Sequence, residues 1–158
     1  MVNFYHGQFC SSAAAMRYLQ ERGCFHPEAA KKFKLGFANR TLGYRLPMTT
    51  RHGKELKAQL TRLGIMRESG HEHLSGCVVF PVIFDGKVSE IYGRRMTKPK
   101  PVQEGSPHLY LPGPHAGVWN ADEIKFTHEW LLCESAIASA KHRSFFSCRW
   151  IEPRTSSS

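Results

Sequence analysis

The chain has no Cys-x-x-Cys pair. Its five cysteines stand singly at 10, 24, 77, 133 and 148, which argues against a zinc ribbon or a disulfide framework and fits a reducing, cytoplasmic setting. Long apolar runs are missing as well. The longest, Val78 to Phe84, is far too short to cross a bilayer, and Met1 to Cys10 has no apolar signal core, so no membrane partner is expected. No Gly-x-Ser-x-Gly, phosphate-loop lysine or dinucleotide glycine fingerprint is present, which removes the usual support for hydrolase and nucleotide-cofactor oxidoreductase chemistry. There is no internal repeat and no heptad. Acids are scarce: 13 Asp and Glu face 22 Lys and Arg, none of the acids lies between Gly36 and Gly53, and the net charge is +9. A field of that sign gathers phosphates and points to a polyanionic partner.

A length of 158 residues suits one compact domain with at most a small appendage. Ser11-Ser12 caps a helix expected to run through Glu21 and stop at Gly23. Pro27 suits the first turn of a second helix that runs on until Gly36. Phe37 to His52 has little periodicity and reads as an irregular or short-strand connection. Leu56, Leu60 and Leu63 make one face of a helix from Lys54 to Gly64. His71-Glu72-His73 follows in a polar connector; its imidazoles have metal-ligand chemistry, but no further ligands stand nearby, and the favoured reading is a solvated loop. Cys77–Phe84, Asp85-Gly86 and Lys87–Tyr92 form the clearest signal, a β-hairpin with a two-residue turn. Within it, Pro81 demands an edge or a bulge. His108–Leu111 reads as a short strand, Pro112–Gly117 as a rigid turn exposing an imidazole, and Asn120–Glu123 as one helical turn. Trp130–Cys133 reads as a buried strand leading into a small-residue helix, and a polar, serine-rich tail follows.

The chemistry-bearing residues fall in two groups. Arg94, Arg95, Lys98 and Lys100 put four cations just past the second hairpin strand, beside Gly93. An arginine there can fork hydrogen bonds to a phosphate, and strand alternation sends Arg94 and Arg95 to opposite faces, so only one of them enters any given groove. His108, Tyr110 and Trp119 interleave with this region, either as stacking surfaces for single-stranded bases or as core. Glu134 is the second group by itself, a carboxylate where the last strand meets its helix. It suits Mg²⁺ or general acid–base work, or simply the first turn of a helix, stabilised by the dipole. The one acid after it is Glu152, so a metal site built on Glu134 is incomplete.

Read in order, Tyr18-Leu19-x-x-Arg22-Gly23, Phe33-x-Leu35-Gly36-Phe37-Ala38, Leu60-x-x-Leu63-Gly64, Val79-Phe80-Pro81-Val82, Tyr92-Gly93-Arg94, His108-Leu109-Tyr110-Leu111-Pro112 and Leu132-Cys133-Glu134 resemble the catalytic core of bacterial DnaG-type DNA primases. They are most similar to the divergent primase-like proteins of plasmids and mobile elements. The resemblance implies an α+β fold: a primase N-terminal core subdomain, helices plus a small, mostly antiparallel sheet, over 1–127. The first strand and helix of a Toprim α/β fold would take 128–144, with a flexible or aberrant tail at 145–158. It implies a part in making RNA primers on single-stranded DNA from ribonucleoside triphosphates with Mg²⁺, beside a replicative helicase. It also assigns Arg94, rather than Arg95, to the groove and matches Glu134 to the Toprim glutamate. The departures matter too. Ala138 stands where the family usually has an aspartate, the later paired aspartates and the zinc module have no counterpart, and Ser75-Gly76-Cys77 replaces arginines before Phe-Pro. Those departures lead to the expectation of a truncated or frame-shifted product, inactive in primer synthesis by itself. The alternative is a non-enzymatic module of a mobile element that binds single-stranded nucleic acid or regulates a partner.

Overall fold

Asp85 and Gly86 both take positive φ, 48° and 69°, as a two-residue hairpin turn with left-handed angles at both positions requires. They join β2 (Cys77–Phe84) to β3 (Lys87–Arg95). β1 (Gly36–Phe37) and β4 (His108–Tyr110) complete a four-stranded sheet in the order β1-β2-β3-β4, every pairing antiparallel. Our computed structural model describes residues 1–97, 106–115, 117–122, 136–139 and 148–149. β1 covers β2 only at Val78 and Val79, so Pro81 lies past it, and the β2–β3 register slips between Val82 and Ile83. The proline therefore lies past the end of β1, on the edge side expected of it, and one residue before the bulge.

The helices pack on the two faces. α1 (Val2–Cys10), α2 (Ala13–Glu21) and α3 (Pro27–Lys32) come before β1, and α4 (Leu42–Arg45) and α5 (Arg51–Arg62) lie between β1 and β2. Ser12 caps α2, its hydroxyl accepting from the Ala15 N–H at 3.2 Å, and Pro27 sits in the first turn of α3. Thr50 caps α5 through Gly53 at 3.0 Å. Side-chain alternation along β2 and β3 then builds two cores. Val78, Phe80, Val82 and Tyr92 join Leu19, Phe33, Leu35 and Trp119 on the first face. Cys77, Val79 and Ile91 join Leu42, Leu60, Met66 and Leu74 on the second. α1 serves both, sending Phe9 to the first and Tyr5 to the second. Fully burying a Phe or Leu side chain contributes roughly 1.5–3 kcal/mol, so these clusters are what hold the short helices in place.

Several local expectations are corrected. The stretch 37–52 is not irregular throughout: it holds the end of β1, α4 and the start of α5. α5 begins at Arg51, three residues ahead of the expected Lys54, because Gly53 does not break it; that glycine packs tightly under the Pro47 carbonyl, where a Cβ has no room. Val2–Cys10, to which no element was assigned from the sequence, forms α1, seated where Tyr5 Cβ would lie 2.7 Å from a Cβ on Gly36. The His71–His73 connector is not simply solvated. Glu72 is 5% exposed; its Oε2 accepts from the Tyr5 hydroxyl at 3.0 Å and its Oε1 from the Leu42 N–H at 2.9 Å. Burial, with Glu72 beside it, pushes the Tyr5 hydroxyl far up, so it stays a donor.

Past β4, β5 (Val118–Trp119) pairs with β6 (Cys148–Arg149), and α6 (Ala136–Ser139) sends Ala136 and Ile137 into the first-face core. Residues 130–133, expected as a strand, lie outside the described residues, as does most of the expected tail. Among the described residues no helix is long and apolar enough to cross a membrane.

Candidate nucleic-acid interface

β3 decides what its two arginines can reach. Tyr92 points to the first face, so Arg94, two residues on, does too, while Arg95 shares the second face with Ile91 and Gly93. The opposite-face expectation thus follows from the register. Across the ladder Arg94 pairs with His108 and Tyr92 with Tyr110, which puts four chemistry-bearing side chains on one strip of sheet.

Within that strip the hydrogen bonds fix a proton. The Arg94 Nη1 bonds to His108 Nε2, and the His108 Nδ1 lies 2.8 Å from the Tyr92 hydroxyl. A guanidinium only donates, so Nε2 must be the acceptor and the ring proton belongs on Nδ1, where it is given to Tyr92; this tautomer is inferred from the network. Burial, and then the Arg94 charge, hold the His108 pKa below the ordinary histidine value. The imidazole is thereby kept neutral, and one guanidinium hydrogen is committed while the other Nη hydrogens are not. The strip continues through Tyr110, whose ring lies 5.1 Å from Tyr92 and edge-on to His115 at 4.6 Å, to His115 Nδ1 at 2.6 Å from Glu90 Oε1. His115 is exposed, as expected, and its imidazole is in addition tied to the sheet through Glu90.

Arg95 has different surroundings. Its N–H donates to Pro107 and its carbonyl accepts from the Tyr18 hydroxyl at 3.1 Å, tying β3 to α2. Its charge lies close enough to Cys77 to favour the thiolate, yet burial prevails and pushes that thiol up to about 12, leaving it inert. Gly93, just before the two arginines, is where Leu74 and Cys77 close over the second face: a Cβ there would lie 2.8 Å from Leu74 Cδ2.

Of the sequence candidates, Arg94, His108 and Tyr110 are brought together, and Arg95 faces away. Trp119 does not serve as a stacking platform; it is 3% exposed, with its ring 4.4 Å from Phe33. Lys98, Lys100 and Glu134 lie outside the described residues. Among the described residues no group of three His, Cys, Asp or Glu side chains is placed to hold a metal ion, so they offer no donor set for Mg²⁺. Tyr92 was not singled out from the sequence, although its i, i+2 spacing from Arg94 is the signal that would have found it.

This is a mixed α+β domain in which a small antiparallel sheet, clad by helices, offers a basic, aromatic strip at one end. Its fold is that of the DnaG-type primase catalytic core. It aligns with the DnaG primase catalytic domain bound to single-stranded DNA at TM-score 0.69 and 19% identity, over 93% of this chain and 52% of that one. The Aquifex aeolicus primase zinc-binding and RNA polymerase domains align at TM-score 0.68 and 21% identity, over 89% and 36%. The RNA polymerase domain of Mycobacterium tuberculosis primase, in complex with a double-stranded DNA oligomer carrying a 6-nucleotide overhang, aligns at TM-score 0.63 and 20% identity, over 88% and 47%. The chain thus spans about half or less of each of these structures. No family model and no curated protein matches its sequence.

Proposed function

We propose that this chain is a primase-like module that holds the backbone of single-stranded DNA against the Arg94 end of its sheet. One observation carries the reading: on a fold shared with a DNA-bound primase domain, Arg94 is oriented by His108 on a face lined with tyrosines. A phosphate takes the guanidinium hydrogens that His108 leaves free, and the chain's +9 charge draws the strand in. Lys98 and Lys100, close after Arg94 in the sequence, add their charge to this reading, and Arg95, on the other face, adds to the general field only.

In the longer protein this reading implies, the strand is a template for RNA primers made from ribonucleoside triphosphates, beside a replicative helicase and in the service of a mobile element, with Glu134 contributing to the catalytic centre. The isolated chain does not carry out that synthesis, since Glu134 has no later carboxylate partner but Glu152. Two assays test this. Purified chain is mixed with fluorescent single-stranded DNA across a salt series; binding that weakens steeply with salt is expected, and salt-insensitive or undetectable binding refutes the proposal. Template and labelled ribonucleotides are then supplied with Mg²⁺, and abundant primer would overturn the claim of inactivity.

A further inference from the structure

A cavity of about 260 Å³ opens beside α4 and α5, lined by Arg40, Tyr44, Lys57, His71 and Glu72 among others. We propose that it is a binding site for a nucleoside monophosphate, separate from the Arg94 strip. Its cations are uncommitted: neither Arg40 nor Lys57 makes an ion pair or a side-chain hydrogen bond among the described residues. Both tips rest over glycines. The Arg40 Nη2 would lie 3.5 Å from a Cβ on Gly76 and the Lys57 Nζ 3.9 Å from one on Gly70, each a glycine at positive φ. Neither glycine has a side chain to pair with these charges. Arg40 itself has φ 70°, a left-handed angle that costs an arginine energy and marks a backbone held by its surroundings.

The one carboxylate in the lining is already used. Both Glu72 oxygens accept hydrogen bonds, from Tyr5 and from Leu42, so the acid is fixed in the floor by neutral donors; it keeps its charge, and the two cations of the lining outnumber it. An anion is what two free cations and an imidazole select. The size and the rim narrow the class. A small-molecule pocket usually measures about 300–1,000 Å³, so this one takes a phosphate and sugar and leaves a base outside. There Tyr44 is 89% exposed and Met48 39% exposed, an aromatic face and a thioether where a base would stack.

Adenosine monophosphate and inorganic phosphate are the probes, titrated into the full chain by calorimetry. Saturable binding of the nucleotide is expected, weakened about tenfold or more in Arg40→Ala/Lys57→Ala. Tyr44→Ala should weaken the nucleotide but leave phosphate alone, and Lys87→Ala, an exposed cation outside both sites, should change neither. Arg40 and Tyr44 are exposed and Lys57 is half-buried, and an unchanged circular-dichroism melt confirms that the variants fold. No saturable nucleotide binding, or binding indifferent to Arg40 and Lys57, overturns the proposal. So does a result in which these variants weaken single-stranded DNA while the nucleotide does not bind, since the cavity is then part of a strand path. DNA binding through Arg94 is read separately, so either idea can fail alone.

Discussion

The two faces of the sheet, one residue apart along β3, have become different surfaces. On the first, Arg94 meets a neutral imidazole and a row of tyrosines, and its guanidinium keeps donors to offer. On the second, Arg95 borders a thiol that burial pushes up to about 12, next to a glycine roofed by Leu74. Both arginines are half-buried and carry the same charge. What separates them is the cross-strand partner: His108 orients one, whereas the backbone of the other is used to tie β3 to α2. The difference teaches that a pair of adjacent cations at a strand end is one candidate and one structural residue, and that pairing register tells which is which.

Substitutions on each face sharpen the contrast. The largest effect is expected from Phe80→Ala, which empties the centre of the first-face core, where Phe80 lies 5.5 Å from the Tyr92 ring. Urea denaturation should show a loss of about 3–5 kcal/mol, and DNA binding should fail along with folding. Gly93→Ala comes next. A methyl at the second face would press on Leu74 and Cys77, and a loss of about 1–3 kcal/mol is expected; a loss below that range would mean that the second face is loosely packed. Because Arg94 faces away from this overlap, salt-sensitive DNA binding should survive at temperatures where the variant is folded.

The smallest effect is one of pH. His108 has a lowered folded pKa, from burial and then from Arg94, against about 6.5 for an unfolded histidine. Between those values the unfolded chain binds more protons, so stability rises with pH through that window. The contribution is fully present above the unfolded pKa and is lost as pH falls through the folded one. Urea midpoints compared at neutral and mildly acidic pH should fall less in His108→Gln than in the parent chain. An equal fall in both would show that other groups dominate. Protonation also removes the lone pair that holds Arg94, so acidification should alter DNA binding in the parent more than in the variant.

Much of the first face was legible in the sequence because its signals are local. Asp85-Gly86 specifies a turn from two residues, and the turn sets the register that opposes Arg94 to Arg95. Ser12 and Pro27 marked helix starts in the same way. The second face resisted because its determinants are distant in the chain. Nothing near Glu72 indicates that Tyr5, 67 residues away, will bury it. α1 has strand-favouring aromatics and a central glycine, and it is helical because Tyr5 and Phe9 each find a core. Trp119 shows the same limit from the other direction. Beside cations it suggested a stacking platform, and only the packing against Phe33 reveals it as core. The division of labour at the candidate site is likewise a matter of pairing: His108 lies 14 residues from Arg94, and only the β3–β4 ladder makes it the residue that orients the guanidinium.

The most direct test of the account compares two single variants. Arg94→Ala and Arg95→Ala are titrated with the same fluorescent single-stranded DNA at low and moderate salt. The account predicts that Arg94→Ala weakens binding about tenfold and flattens the salt dependence, while Arg95→Ala stays within about threefold of the parent, as loss of a general charge implies. Equal losses in the two variants, or a larger loss at Arg95, would contradict it.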